Sequence, residues 1–145
     1  MSQDVYDDQN VFAKILRGEI PSQKIYEDDN CIAIMDVMPQ STGHALVLPK
    51  TGSRNILDID AKDLTNTILV VQRLARAVMK AFDADGVLVN QFNEAASGQT
   101  VFHTHFHVIP RFEGRPMKRH TGEMAEPDLL GQHAEKIRAA LADLG

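Results

Sequence analysis

The sequence predicts an α+β fold, an antiparallel meander sheet with one long helix and shorter helices. Three observations lead there. Short apolar-alternating segments bounded by turn residues, "KIYEDD", "CIAIMDV", "HALVLPK", "VLVNQF" and "VFHTHFHVIP", read as strands. One stretch, "DAKDLTNTILVVQRLARAVMKAFDADG", places Leu64, Ile68, Val71, Ala75, Val78 and Phe82 at helical spacing. The strands follow one another in hairpins instead of alternating regularly with helices, which argues against a doubly wound sheet.

The elements follow in order. Residues 1–9 read as a flexible acidic tail and 10–145 as a single domain. Asn10 is a suitable cap for a short helix, "VFAKILRG", with Val11, Phe12 and Ile15 on its apolar side and Gly18 at its end. After a turn at Pro21 comes a hairpin whose second strand sets Ile32, Ile34 and Asp36 on one face. "MPQSTGH" is a loop, and the next strand sets His44, Leu46 and Leu48 on one face. Asp60 caps the long helix and Gly86 is its expected stop. A strand, a small-residue loop and the histidine-rich strand follow. The stretch "RFEGRPMKRHTGEMAEP" is irregular, with Gly114, Pro116, Gly122 and Pro127 as breakers, and a last helix runs from about Pro127 to Leu144.

A chain of 145 residues is long enough to bury roughly 68–70% of its unfolded surface without disulfide or metal. The net charge of −5 argues against broad nucleic-acid binding. A lone cysteine, Cys31, excludes an internal disulfide framework and suits a reducing compartment. "MSQDVYDDQN" has neither a basic nor an apolar leader segment, and no apolar run approaches the ~18 residues of a membrane span. The expectation is a cytoplasmic protein with no membrane or nucleic-acid partner.

The chemistry concentrates in "TVFHTHFHVIPR", where His103, His105 and His107 occupy every second position. On a strand all three rings share a face, roughly 6.6 Å apart at a rise of about 3.3 Å per residue. Phe102, Thr104, Phe106 and Val108 alternate with them on a packing face. Adjacent imidazoles resist being charged together, so at least one is neutral near pH 7. A neutral imidazole serves as nucleophile, proton acceptor or metal ligand, and the residues alone leave all three open. The loop before them, "NEAASGQT", offers Gly98 for a tight turn and Asn93, Gln99 and Thr100 as polar groups suited to an anion such as a phosphate.

"GQTVFHTHFHVIPR" resembles the signature of the histidine triad (HIT) superfamily, and the resemblance extends from "NVFAKILRGEIPS" through "YEDDNCIAIMDVMPQSTGHALVLPK" to the triad. It implies a nucleotidyl hydrolase or transferase acting at the α-phosphate of a nucleotide conjugate, with no cofactor and a homodimeric state. His105 would be the nucleophile, forming a covalent nucleotidyl-histidine. His107, Gln99, Thr100 and Asn93 would hold the phosphate, with His103 and His44 as supporting rings. Asp36 would accept hydrogen bonds from the ribose hydroxyls, and Val11, Phe12, Ile15, Ile34 and Val37 would line the slot for a purine base.

Departures from the pattern narrow the reading. Many members carry Cys-x-x-Cys at the start of the first helix and a later histidine, together part of a structural zinc site. Here Asn10, Ala13 and the neighbourhood of Gly52 stand at those positions, so no metal is expected. A third triad residue that is His107, not glutamine, argues against the uridylyltransferase branch. The leading expectation is a Hint-like hydrolase of purine nucleoside phosphoramidates or adenylated conjugates. Alternatives are a Fhit-like dinucleoside polyphosphate hydrolase, a non-catalytic nucleotide-binding protein and a histidine-strand metal binder. A polyphosphate leaving group would call on Arg111, Arg115, Lys118, Arg119 and His120, from "RFEGRPMKRH" or opposite a partner subunit.

Overall fold

The structure, a computed structural model, describes residues 5–119 and 122–144, so His120 lies outside the described residues. It is α+β, with five antiparallel strands in the order β1-β2-β3-β5-β4. Helix α1 is Val11–Leu16; β1 is Lys24–Glu27, β2 Cys31–Met35 and β3 Ala45–Pro49. Helix α2 is Ala61–Phe82, β4 is Gly86–Asn90, β5 is Phe106–Arg111 and α3 is Pro127–Leu144. The first three strands form the expected meander. The chain then crosses through α2 to β4, and β5 returns between β4 and β3.

Alternation along the strands divides the sheet into two faces. Ala33, Met35, Ala45, Val47, Phe106 and Val108 pack with Val71, Leu74 and Val78 of α2 and with Ala134 and Ile137 of α3 into the main core. The opposite face carries a smaller cluster of Phe12, Ile32, Ile34, Leu46 and Leu48, with Ile15 and Val101 against it. One face is thus given to stability, and the other is open to site-building.

The ends of α2 show what fixes the element. Asp60 caps it as expected, its carboxylate accepting from Lys62 N at 3.0 Å. It stops at Asp83, in the left-handed conformation at φ 48°, and not at Gly86, which opens β4. An aspartate tolerates that region better than most side chains, so no glycine was needed. The buried face follows Thr67, Val71, Leu74 and Val78, leaving Ile68 at 43% exposure. Ile68 is turned by about 100° from Thr67, enough to leave the core face. Thr67 is tolerated there because its hydroxyl donates to the Asp63 carbonyl at 2.7 Å.

The histidine strand starts later than expected, at Phe106 and not Val101. Extending the β3–β5 register from Val47↔Phe106 would set Thr104 opposite Pro49, which has no N–H to donate. Thr104 N instead donates to the Ser53 carbonyl at 2.9 Å, and its hydroxyl pairs with Ser53 Oγ at 2.7 Å. Only His107 lies in regular strand. Among the described residues no helix is long and apolar enough to cross a membrane.

Candidate active site

The site grows from one end of the smaller face. Ile34↔Leu46 and Leu46↔His107 are paired across β2, β3 and β5. Two residues beyond the first pair on each strand lie Asp36 and His44, still linked by Asp36 N donating to the His44 carbonyl at 3.0 Å. Asp36, His44, His103, His105 and His107 are all at most 6% exposed. The loop carrying His44 closes tightly: Gly43 has φ +84°, and a Cβ there would sit 2.4 Å from the Phe82 ring. Only glycine combines that dihedral with that clearance.

Hydrogen bonds to backbone groups of known polarity assign the imidazole tautomers. Gln40 N donates to His44 Nδ1 at 3.0 Å, so a neutral His44 carries its proton on Nε2. That nitrogen lies 2.9 Å from His107 Nδ1 and 3.4 Å from Asp36 Oδ2. His107 Nδ1 therefore accepts, and the His107 proton sits on Nε2. His105 has the reverse arrangement. Its Nδ1 lies 2.6 Å from the His103 carbonyl, which can only accept, so a neutral His105 keeps its lone pair on Nε2. The His105 and His107 rings are 5.1 Å apart at 62°. The two adjoining rings thus differ in tautomer, one able to accept and the other to donate at Nε2.

His103 is set apart from them. Its Nε2 donates to the Pro49 carbonyl at 2.8 Å, and its Nδ1 accepts from the Tyr6 hydroxyl at 2.6 Å. Burial, with the neighbouring His105 adding to it, drives its pKa down to about 4, so the ring is neutral at pH 7.

Two metal readings meet this geometry. Asp36, His44 and His107 bring three ligand atoms within 4.8 Å of one another. A cation there would need the lone pair of His44 Nε2, yet the Gln40 N–H on Nδ1 obliges Nε2 to keep its proton. The donor set does not fit. Nor do the positions that hold structural zinc in other members: Asn10 offers a weak amide, and Ala13 and Gly52 offer no ligand atom.

The remaining expected residues divide. Phe12, Ile15 and Ile34 do come together beside the triad, with the Phe12 ring 4.7 Å from that of His105. Val11 and Val37 are exposed at 38% and 41% and lie outside that cluster. Thr100 is exposed next to the triad segment. Gln99 is 3% exposed, and its side-chain amide is engaged within the protein. Its Oε1 accepts from Asn55 Nδ2 and Glu94 N at 3.0 and 2.7 Å, and its Nε2 donates to the Arg54 and Val101 carbonyls at 2.7 and 3.0 Å. With all four amide valences used, it braces the loop. Asn93 is likewise engaged, its Oδ1 accepting from Ile56 N at 2.8 Å and its Nδ2 donating to Gln91 at 2.9 Å.

Arg111 and Arg115 line a groove of about 410 Å³ at the opposite end of β5, with Asp85 and Glu113 among its walls. Arg111 is four residues from His107, roughly 13 Å along the strand, so the two arginines are separated from the triad. Lys118 is closer to the site's loop, its N donating to the Gln40 carbonyl at 2.8 Å. Tyr6, Gln40 and Asn55 carry no signal of these contacts in the sequence. The backbone N–H of Gln40 leaves no trace in residue type, and the other two act across long sequence separations.

Comparison with known proteins agrees with this geometry. The HIT domain family matches residues 17–114, well over half of the chain. A crystal structure of a Hit-like protein involved in cell-cycle regulation, from Bartonella henselae, superposes with a TM-score of 0.90 at 55% identity, covering 94% of this chain and 98% of that one. A zinc-bound histidine triad protein from Mycobacterium smegmatis gives a TM-score of 0.83 at 36% identity, over 94% and 95% of the two chains. The adenylylsulfatase HINT3 of Arabidopsis thaliana is 43% identical over 105 residues, 71% of this chain but 52% of that protein. On the family match and these similarities, this chain belongs to the HIT family.

Proposed function

We propose that the protein is a nucleotidyl hydrolase that cleaves purine nucleoside phosphoramidates or adenylated conjugates at the α-phosphate through a covalent His105 intermediate. The observation that carries this reading is the opposed tautomers: a lone pair on His105 Nε2 beside a proton on His107 Nε2. In the first step the His105 Nε2–P bond forms as the bond from phosphorus to the leaving group breaks, and the leaving group departs with the electron pair and takes up a proton. The ring becomes cationic in this step. The His103 carbonyl, 2.6 Å from Nδ1, stabilises that charge through the shared proton. In the second step water forms the new O–P bond, the Nε2–P bond breaks, and the neutral ring is restored with release of a proton.

His107 Nε2–H and the exposed Thr100 hydroxyl would face the phosphoryl oxygens, and Phe12, Ile15 and Ile34 the base. Asp36 would accept from the ribose, its Oδ2 also lying 3.4 Å from His44 Nε2. Similarity to a protein named adenylylsulfatase supports an adenylated conjugate as substrate. The same reading includes a homodimer and a cytoplasmic site of action.

The test is AMP release, in chelator, from an adenosine phosphoramidate with an amine leaving group, with adenylyl sulfate and diadenosine triphosphate alongside. Fast release from either of the first two is expected. Preference for the dinucleotide would move the protein to the polyphosphate branch, and activity appearing only with a divalent ion would overturn the covalent mechanism. Asp36→Ala should weaken ribose substrates more than 2′-deoxy analogues, and equal losses would remove the ribose assignment.

A further inference from the structure

We infer that Tyr6 is a positioning residue of this active site, a hydrogen-bonded latch that holds His103 so that the His103 carbonyl can orient His105. This role rests on the reading of His105 as nucleophile, and it places the segment before α1 in the machinery.

The latch is continuous. Asn10 Nδ2 donates to the Tyr6 oxygen at 3.0 Å while Asn10 Oδ1 caps α1 by accepting from Ala13 N at 2.9 Å. The Tyr6 hydroxyl donates to His103 Nδ1 at 2.6 Å, His103 Nε2 donates to the Pro49 carbonyl at 2.8 Å, and the His103 carbonyl accepts from His105 Nδ1 at 2.6 Å. Every polar atom of the His103 ring is engaged at the polarity its neutral form requires. The rings of Tyr6 and His103 meet edge to face at 5.6 Å. Beneath the phenol lies Gly52, where a Cβ would come within 2.6 Å of Tyr6 Cε2. Gly52 has an ordinary backbone, so the glycine serves to admit the ring.

The positions involved are informative. By the family resemblance, Asn10 and the neighbourhood of Gly52 correspond to structural-zinc positions of other members, and here Asn10 and Gly52 flank the Tyr6 phenol. A closed zinc site needs four ligand atoms, and this cluster presents no second strong one beside His103. The phenol fixes one nitrogen of the first triad ring by a hydrogen bond. Residues 101–105 have no strand ladder to hold them, so this fixation matters for where the His103 carbonyl points.

Two substitutions perturb the latch by different routes. Tyr6→Phe keeps the ring and removes the hydroxyl. Gly52→Ala keeps the hydroxyl and pushes the ring away. Both are expected to lower kcat for AMP release by about fivefold to tenfold, the worth of one hydrogen bond, with KM unchanged. Nitrogen-15 imidazole spectra, recorded without substrate, should show His105 protonated at Nδ1 alone in the parent protein and a mixture of tautomers in both variants. Unchanged kcat and an unchanged His105 tautomer in either folded variant would overturn the latch. A purified parent protein that loses turnover in chelator and regains it with zinc would overturn it too. Absence of turnover in the parent protein would sink the hydrolase reading instead, and the spectra would still decide whether Tyr6 sets the His105 tautomer.

Discussion

His105 and His107 are the same residue type, two positions apart, yet the protein gives them opposite protonation by choosing what meets each Nδ1: a carbonyl for one, an N–H for the other. His105→Ala should therefore lower AMP release by roughly 10³-fold or more while leaving nucleotide binding within a few-fold, since other groups hold the ligand. A variant with more than a tenth of parent activity would remove His105 as nucleophile. His103 makes a different prediction. Its pKa of about 4 in the fold lies below the 6.5 of a free histidine because burial penalises its charge. Between those values the unfolded chain binds the proton and the folded chain does not, so stability falls as pH drops from about 6.5 to about 4 and is fully present above that window. The loss attributable to this ring is on the order of 3 kcal/mol. Half-buried His133, also lowered chiefly by burial, acts in the same direction. Urea denaturation at pH 7 and pH 4.5 checks it; equal midpoints would mean that His103 takes up its proton in the fold. The triad was legible from its spacing, because period two is a property of sequence. The tautomers were not, since they depend on the Gln40 N–H and the His103 carbonyl, which only the folded backbone brings into place.

At the scale of elements, the loop 93–100 shows how a distant segment decides which side chains of a motif turn inward. Its polarity and Gly98 marked a turn able to meet an anion, and Gly98 does adopt φ +110°. Which side chain faces outward depended on Arg54 and Asn55, 45 and 44 residues upstream of Gln99, whose segment claims the Gln99 amide. Gln99→Leu should then cost about 2–3 kcal/mol in stability by stranding the Glu94 N–H and two carbonyls. Thr100→Ala should leave the melting temperature unchanged and reduce turnover. A destabilised Thr100→Ala with a neutral Gln99→Leu would reverse the two roles. The bounds of helix α3 were legible in the sequence, because Pro127 and the acidic first turn are local signals. The late start of β5 was not, because Pro49 blocks the ladder only once the register places it opposite Thr104.

Across the whole molecule the sheet has two unlike edges, and they decide where a second copy can join. At the β1 edge, Lys24 and Glu27 pair with each other, and Arg138 donates to the Lys24 carbonyl at 2.6 Å. Charge and a capped carbonyl are the usual defences of an edge strand. The β4 edge, "GVLVN", has no charge and no proline, and Val89 is 40% exposed. An undefended, apolar edge invites antiparallel pairing with the same strand of another chain about a two-fold axis, which satisfies its outer backbone groups and covers Val89. Composition could suggest a dimer only through family resemblance, since which strand ends at the edge follows from β5 returning inside β4. Sedimentation at micromolar concentration should show a dimer, and Val89→Lys, which places a charge on the pairing edge, should shift it to monomer with the monomer still folded. A parent protein that sediments as a monomer would exclude this dimer, and a Val89→Lys variant that stays dimeric would move the interface away from β4.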